Sequence, residues 1–196
     1  PNQSDIEKEI AIHDYLVDNI NYVDTGDSSY NAYSALINGI AVCSGYTECF
    51  KTLLDMLGIE NATISGEAGG QQHIWNVVNL DNHWYHVDVT WDDPVGSSSD
   101  YIDHSYFNIS ADDMALDHTW DRSRYSAYEK CGAKYSYCRY KKLPLISNVN
   151  QLNKLIYSTV KNKTAHIEFT TTYNADLKEA ISRTGQQLSY SYKNID

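Results

Sequence analysis

Four cysteines stand at positions 43, 49, 131 and 138, and Cys43 is the one placed for chemistry. A thiol becomes a useful nucleophile when its thiolate is stabilised, and a helix N-terminus does this by aiming partial positive charge and free N–H groups at the sulfur. Tyr46, Phe50, Leu53, Leu54 and Leu57 form a helical stripe that stops at Gly58, so the first turn begins at or near Cys43. Ala41-Val42 before it and Ser44-Gly45 after it are small or apolar enough for backbone and substrate to approach. The same N–H groups could hold an oxyanion, because acyl transfer builds negative charge on the attacked carbonyl oxygen.

A base and its orienting acid come from a second region. His73–Leu80 and Trp84–Trp91 read as two strands joined around Asp81-Asn82, a hairpin signal. A two-residue turn pairs His73 with Thr90, Trp75 with Asp88 and Val77 with His86, and puts all six on one face. His73 and Asp88 are then diagonal neighbours, roughly 7 Å apart at the backbone, within reach of a carboxylate–imidazole bond. An odd-length turn would break this geometry. Cys43, His73 and Asp88 thus read as nucleophile, base and orienter.

Each of these residues also has a plainer role open to it. His73 alone could be a buried structural imidazole and Asp88 a strand-end cap; it is their conjunction with Cys43 that favours a triad. His86 shares the face, as a further donor or as core. A zinc site from Cys43, His73 and His86 is set aside because a carboxylate already accounts for His73, and neither metal nor cofactor is expected. Trp75, Trp84 and Trp91 read as packing, His83 as solvated, His13 as a hydrogen-bonded core residue, and Cys49 as a small buried side chain. Gly69-Gly70 lacks the Lys-Ser/Thr of a phosphate loop, so it reads as a flexible stretch beside the site. Cys131 and Cys138 could close a small disulfide or remain two thiols.

The positioning elements run along the whole chain. Residues 4–20 read as a helix opened by a Ser4/Glu7 capping box, with Ile6, Ile10, Val17 and Ile20 on its apolar face. A short helical stretch over Tyr30–Ile37 ends at Asn38-Gly39, and a strand spans about Ala62–Ser65. A turn-rich loop (DDPVGSSSD) follows Trp91, and YFNISADDM suggests a strand and a helix start capped at Ser110. Val149–Val160, His166–Thr171, Asp176–Ser182 and Gln187–Tyr192 read as helix, strand, helix and strand.

Charge divides the chain. Residues 1–125 hold 4 Lys/Arg against 21 Asp/Glu, whereas residues 126–196 hold 11 against 5. The expected organisation is a domain over 1–125, a linker over 126–144 and a small basic α+β module over 145–196. The overall net charge of −11 argues against nonspecific nucleic-acid binding, and no apolar run is long enough to span a membrane. The basic module could contact the acidic part or an anionic polymer such as cell wall. The chain starts at Pro1 rather than Met, which suggests that a leader or upstream domain has been removed.

The segments AVCSGY, HIWN and WYHVDVTWDDP, in that order, resemble the Cys, His and Asp motifs of the transglutaminase-like superfamily, in particular bacterial members and cysteine-protease-like domains. HDYLVDNINY and NAYSALINGIAVCSGY match its leading helices, so the resemblance spans about residues 5–120. It implies an α+β, papain-like transglutaminase core, with the Cys-bearing helix packed on an antiparallel sheet carrying His and Asp, and a small α+β C-terminal extension. It implies a thiol enzyme with Cys43 as nucleophile, His73 as base and Asp88 as orienter, acting on a protein or peptide substrate as peptidase, amidase or protein-glutamine cross-linker. A binding module without turnover is the alternative. The setting implied is the bacterial cell surface or exterior. Tyr30 and Tyr33 are candidates for the oxyanion donor that an upstream Trp supplies in animal members.

Overall fold

The computed structural model describes residues 3–93, 102–162, 166–172 and 189–194. The chain separates into two compact units, Pro1–Tyr137 and Cys138–Asp196. No helix among the described residues is long and apolar enough to cross a membrane.

The first unit opens with α1 (Asp5–Asn19), whose Glu7 carboxylate accepts the Ser4 N–H at 2.8 Å, closing the expected capping box. Its buried face is Ile6, Glu9, Ile10, His13 and Leu16, so Leu16 rather than Val17 continues the apolar row. The two-residue strands β1 (Asn21–Tyr22) and β2 (Ile40–Ala41) pair in parallel. Between them lies a π-helical turn, Ser34–Asn38, ended by Gly39 at φ 65°, the left-handed stop read at Asn38-Gly39. Helix α2 (Cys43–Met56) follows directly, with Val42 as its N-cap. It buries Tyr46, Cys49, Phe50 and Leu54, while Leu57 is exposed.

Four antiparallel strands form the main sheet, in the order β5 (His83–Val87), β4 (Gln71–Leu80), β3 (Asn61–Ala68) and β6 (His118–Trp120). Helix α2 is fastened to β4: the Thr47 hydroxyl donates to the Ile74 carbonyl at 2.9 Å, and the Asn76 amide to the Thr47 carbonyl at 3.1 Å. The turn between β4 and β5 has Asp81 at φ 53° and Asn82 at φ 60°, a two-residue type I′ geometry that matches strand twist. Its register pairs Leu80 with His83 and Val77 with His86, as the turn length dictates. Pairing ends at Asn76–Val87. The strand expected to reach Trp91 therefore stops four residues earlier, and the Asp88 N–H turns to the Tyr106 carbonyl at 3.1 Å.

Gly69 and Gly70, read as a flexible stretch, form a second tight turn with φ 57° and 79° between paired Ala68 and Gln71. Two consecutive left-handed residues are what glycine makes inexpensive. Beyond the main strands, residues 102–109 are irregular apart from a bridge between Ile109 and His86, and the short α3 (Ala111–Met114) is capped by Ser110 as read. Residues 126–137 belong to this unit: Trp84 bridges Cys131, and the Tyr137 ring stacks on His104 at 3.7 Å between centroids.

The short α4 (Tyr137–Tyr140) runs through the boundary. In the second unit β7 (Leu145–Ile146), β8 (His166–Thr171) and β9 (Ser189–Asn194) form a parallel sheet in that order. Helix α5 (Val149–Lys161) connects β7 to β8, its start marked by the Asn148 side chain accepting the Gln151 N–H at 3.1 Å. Ile146, Leu152, Ile156, Ile167 and Phe169 make the core of this unit. The helix read over Asp176–Ser182 lies outside the described residues. Cys131 and Cys138 are not joined by a disulfide, and neither Cys43 nor Cys49 is in one.

Candidate active site

Cys43 occupies the first position of α2, ahead of Gly45 and Tyr46, whose N–H groups donate to the Val42 carbonyl at 2.9 and 3.1 Å; the N–H groups before them have no partner within the helix. Its approach to the rest of the unit is set by Gly45. A β-carbon there would lie 2.7 Å from the Ser29 carbonyl oxygen and 2.8 Å from the Ala41 side chain, so only bare backbone lets α2 start this close to β2.

His73 and Asp88 meet as the hairpin register requires, although they lie beyond its last paired residues: His73 Nε2 is 2.6 Å from Asp88 Oδ2. With Nε2 committed to Asp88, Nδ1 is the ring nitrogen left for Cys43, whose sulfur lies near enough to raise the ring's proton affinity. Burial disfavours the charged ring, but the bonds to Asp88 and Cys43 more than offset it and push His73 up to about 9. Asp88 is 1% exposed. Burial opposes its ionisation too, yet the bonds from His118 and His73 hold its carboxyl below the ordinary carboxylate range. Its other oxygen accepts the N–H groups of Thr90 at 3.0 Å and Trp91 at 3.2 Å.

These groups open onto a cleft of about 370 Å³ whose lining includes Tyr22, Cys43, Gly69, His73, Trp91 and Asp93. Tyr22 sits close enough to feel Cys43: burial first, then the sulfur's charge, raise its phenol above the ordinary value. Tyr30 and Tyr33 are not among the residues lining this cleft. Tyr33 is 70% exposed, and the Tyr30 hydroxyl bonds Asp24 at 3.3 Å. Asp93 accepts a short hydrogen bond from the Tyr46 hydroxyl, which ties the cleft floor to α2.

His86 is fully buried beside Trp75, whose Nε1–H donates to its Nδ1 at 3.0 Å. Burial, with the nearby His118 and Arg122, pushes it down to about 3, so it is a neutral core acceptor. Trp75 stands between it and His73, and the set Cys43, His73 and His86 is not gathered as a ligand cluster. The imidazole that does reach Asp88 is His118, which the sequence reading missed. Its Nε2 is 3.1 Å from Asp88 Oδ2 and its Nδ1 is 2.6 Å from Asp117 Oδ1. Among the described residues, two groups have donor atoms close enough for a metal ion, His73 with Asp88 and His118, and His13 with Asp14 and His104. In both, hydrogen bonds already account for the close approaches.

The profile of the Transglutaminase-like superfamily matches residues 1–89. Among solved structures, a candidate cysteine protease from Cytophaga hutchinsonii aligns at 21% identity and TM-score 0.39, covering 42% of this chain and 30% of that one. A TGase aligns at 15% identity and TM-score 0.43, over 74% of this chain and 35% of that one. A candidate protease from Parabacteroides distasonis aligns at 11% identity and TM-score 0.36, over 45% and 24% respectively. The chain thus spans only about a third or less of the length of each. No curated protein matches it significantly.

Proposed function

Because residues 1–89 carry the signature of the transglutaminase-like superfamily, we propose that this chain is a cysteine-dependent acyl-transfer enzyme acting on carboxamides of proteins or peptides. The observation that carries the reading is the His73–Asp88 pair sharing one cleft with Cys43, whose sulfur stands at the head of α2. The Cys43 sulfur attacks the amide carbon, forming a C–S bond and a tetrahedral oxyanion that the backbone N–H groups at the head of α2, ahead of Gly45, can receive. His73 delivers a proton to the leaving nitrogen as the C–N bond breaks, leaving a thioester. Asp88 keeps the ring oriented and supports its positive charge. Water or a primary amine then attacks the thioester, giving up a proton to His73, and the Cys43 thiolate departs.

Water as acceptor makes the enzyme a peptidase or amidase, and a lysine amine makes it a cross-linker. Incubation with candidate proteins and a labelled primary amine, read by mass spectrometry, distinguishes the two: labelled glutamine marks transfer, and deamidated or cleaved product marks hydrolysis. Amide turnover that survives Cys43→Ala would overturn the thioester reading.

A further inference from the structure

Asp88 is held from every polar side. One oxygen takes the Thr90 and Trp91 N–H groups, the other takes His73 and His118, and its own N–H reaches the Tyr106 carbonyl. His118 in turn faces Asp117, and the other oxygen of Asp117 accepts the Tyr106 hydroxyl at 2.6 Å. The result is a closed ring from Asp88 through His118, Asp117 and Tyr106 back to Asp88. His118 is 1% exposed and lies on β6, paired to β3 at Ala68. That pairing depends on Gly66, where a β-carbon would lie 2.1 Å from the Thr119 carbonyl oxygen.

We propose that His118 is a positioning residue for the reaction assigned above to Cys43, fixing the Asp88 carboxylate so that it faces His73 and stays ionised. The inference rests on that assignment. A buried carboxylate keeps its charge only while N–H donors surround it, and His118 supplies one of four. Both ring nitrogens of His118 face carboxylate oxygens, so both bonds form only when both nitrogens carry hydrogen. Without His118, Asp88 takes up a proton more readily, and a neutral carboxylic acid gives little support to a charged His73. The defect should therefore fall on the acid side of the pH range. The titratable groups around this pair are His73, Cys43 and Tyr22 toward the cleft, Tyr106 and Asp117 behind it, with His86 and Asp92 further off.

The test compares wild type with His118→Leu, His118→Gln, whose amide can still donate, and Asp117→Asn, a change at a partly exposed position that tolerates it if His118→Leu fails to fold. Two readouts are taken across pH: the rate of Cys43 alkylation by iodoacetamide, and the His73 Nε2–H proton resonance, which the charged bond to Asp88 draws downfield. At pH 5, His118→Leu should be alkylated roughly tenfold more slowly than wild type, with near wild-type rates at pH 8. Its His73 resonance should move upfield at pH 5, His118→Gln should recover most of both, and Asp117→Asn should shift both in the same direction by less. A rate loss equal at all pH values, or no loss, would overturn the inference. Wild-type protein in which Cys43 is not preferentially alkylated, but whose His73 resonance still responds to position 118, would instead remove the nucleophile assignment while supporting the coupling.

Discussion

The first unit contains two clusters built on one plan, a carboxylate oxygen shared by two imidazoles. Asp88 Oδ2 lies 2.6 Å from His73 and 3.1 Å from His118; Asp14 Oδ1 lies 2.8 Å from His104 and 3.1 Å from His13. Their surroundings differ. His73 looks out past Asp88 to a thiol and a cleft, whereas His13 looks inward to a second carboxylate, Asp92, at 3.0 Å, and His104 is covered by the Tyr137 ring. Burial opposes the charge on His13, yet bonds to Asp14 and Asp92 push it up to about 9. The second cluster is a buried ionic tie between α1 and the residues around 92–107. Shared geometry does not give both clusters the same surroundings; a thiol and an opening distinguish the first.

The sharpest test of that contrast is a matched pair of substitutions. Asp88→Asn should lower turnover by roughly 10²–10⁴-fold, because an amide supports the wrong tautomer and cannot stabilise the charged ring, a larger effect on rate than on melting temperature. Asp14→Asn should leave the rate near wild type and cost about 1 kcal/mol of stability, a modest sum because Asp14 is partly solvated. Equal rate losses in the two variants would erase the distinction.

Next in size is cysteine selectivity. At pH 6, limiting iodoacetamide followed by peptide mapping should label Cys43 well before Cys49, whose burial pushes it up to about 12, and before Cys131, also raised by burial. First labelling of Cys49 in folded protein would contradict the placement of Cys43.

The smallest effect is on stability against pH. His13 is raised in the folded state, so its contribution is complete below its ordinary value near 6.5 and is lost as pH climbs toward about 9. Glu9, which burial pushes up to about 8, adds a parallel loss between about 4.5 and 8. Melting temperatures measured from pH 6.5 to 9 should fall in wild type and fall less in His13→Asn, which retains only the contributions of other groups such as Glu9 and His73. Identical slopes would mean that His13 is not a charged tie.

The readable parts of this site are those whose signals are local. A stripe at helical spacing located α2 and put Cys43 at its head, and a two-residue turn fixed the register that carries His73 toward Asp88. His118 is beyond such reasoning: its strand is three residues long, too short for any period, and it reaches Asp88 from thirty positions further along the chain. The Gly69-Gly70 pair was misread because the same conformational freedom serves a loose loop and a tight turn, and only the pairing of Ala68 with Gln71 decides between them. The apolar pattern favours Val17 over Leu16 because it does not reveal that Glu9 and His13, both polar, share the buried face.

Gly45 carries a consequence for anyone reshaping this cleft. The missing side chain acts as a spacer of fixed thickness between the start of α2 and the backbone around Ser29 and Ala41, and Cys43 rides on that spacer. A methyl group added there must lift the whole first turn, moving the sulfur relative to His73 without touching either residue. Libraries aimed at a new cleft shape should hold position 45 constant and draw their variety from Gln71 and Gln72, which line the cleft yet stand exposed, where shape can drift while the sulfur keeps its depth.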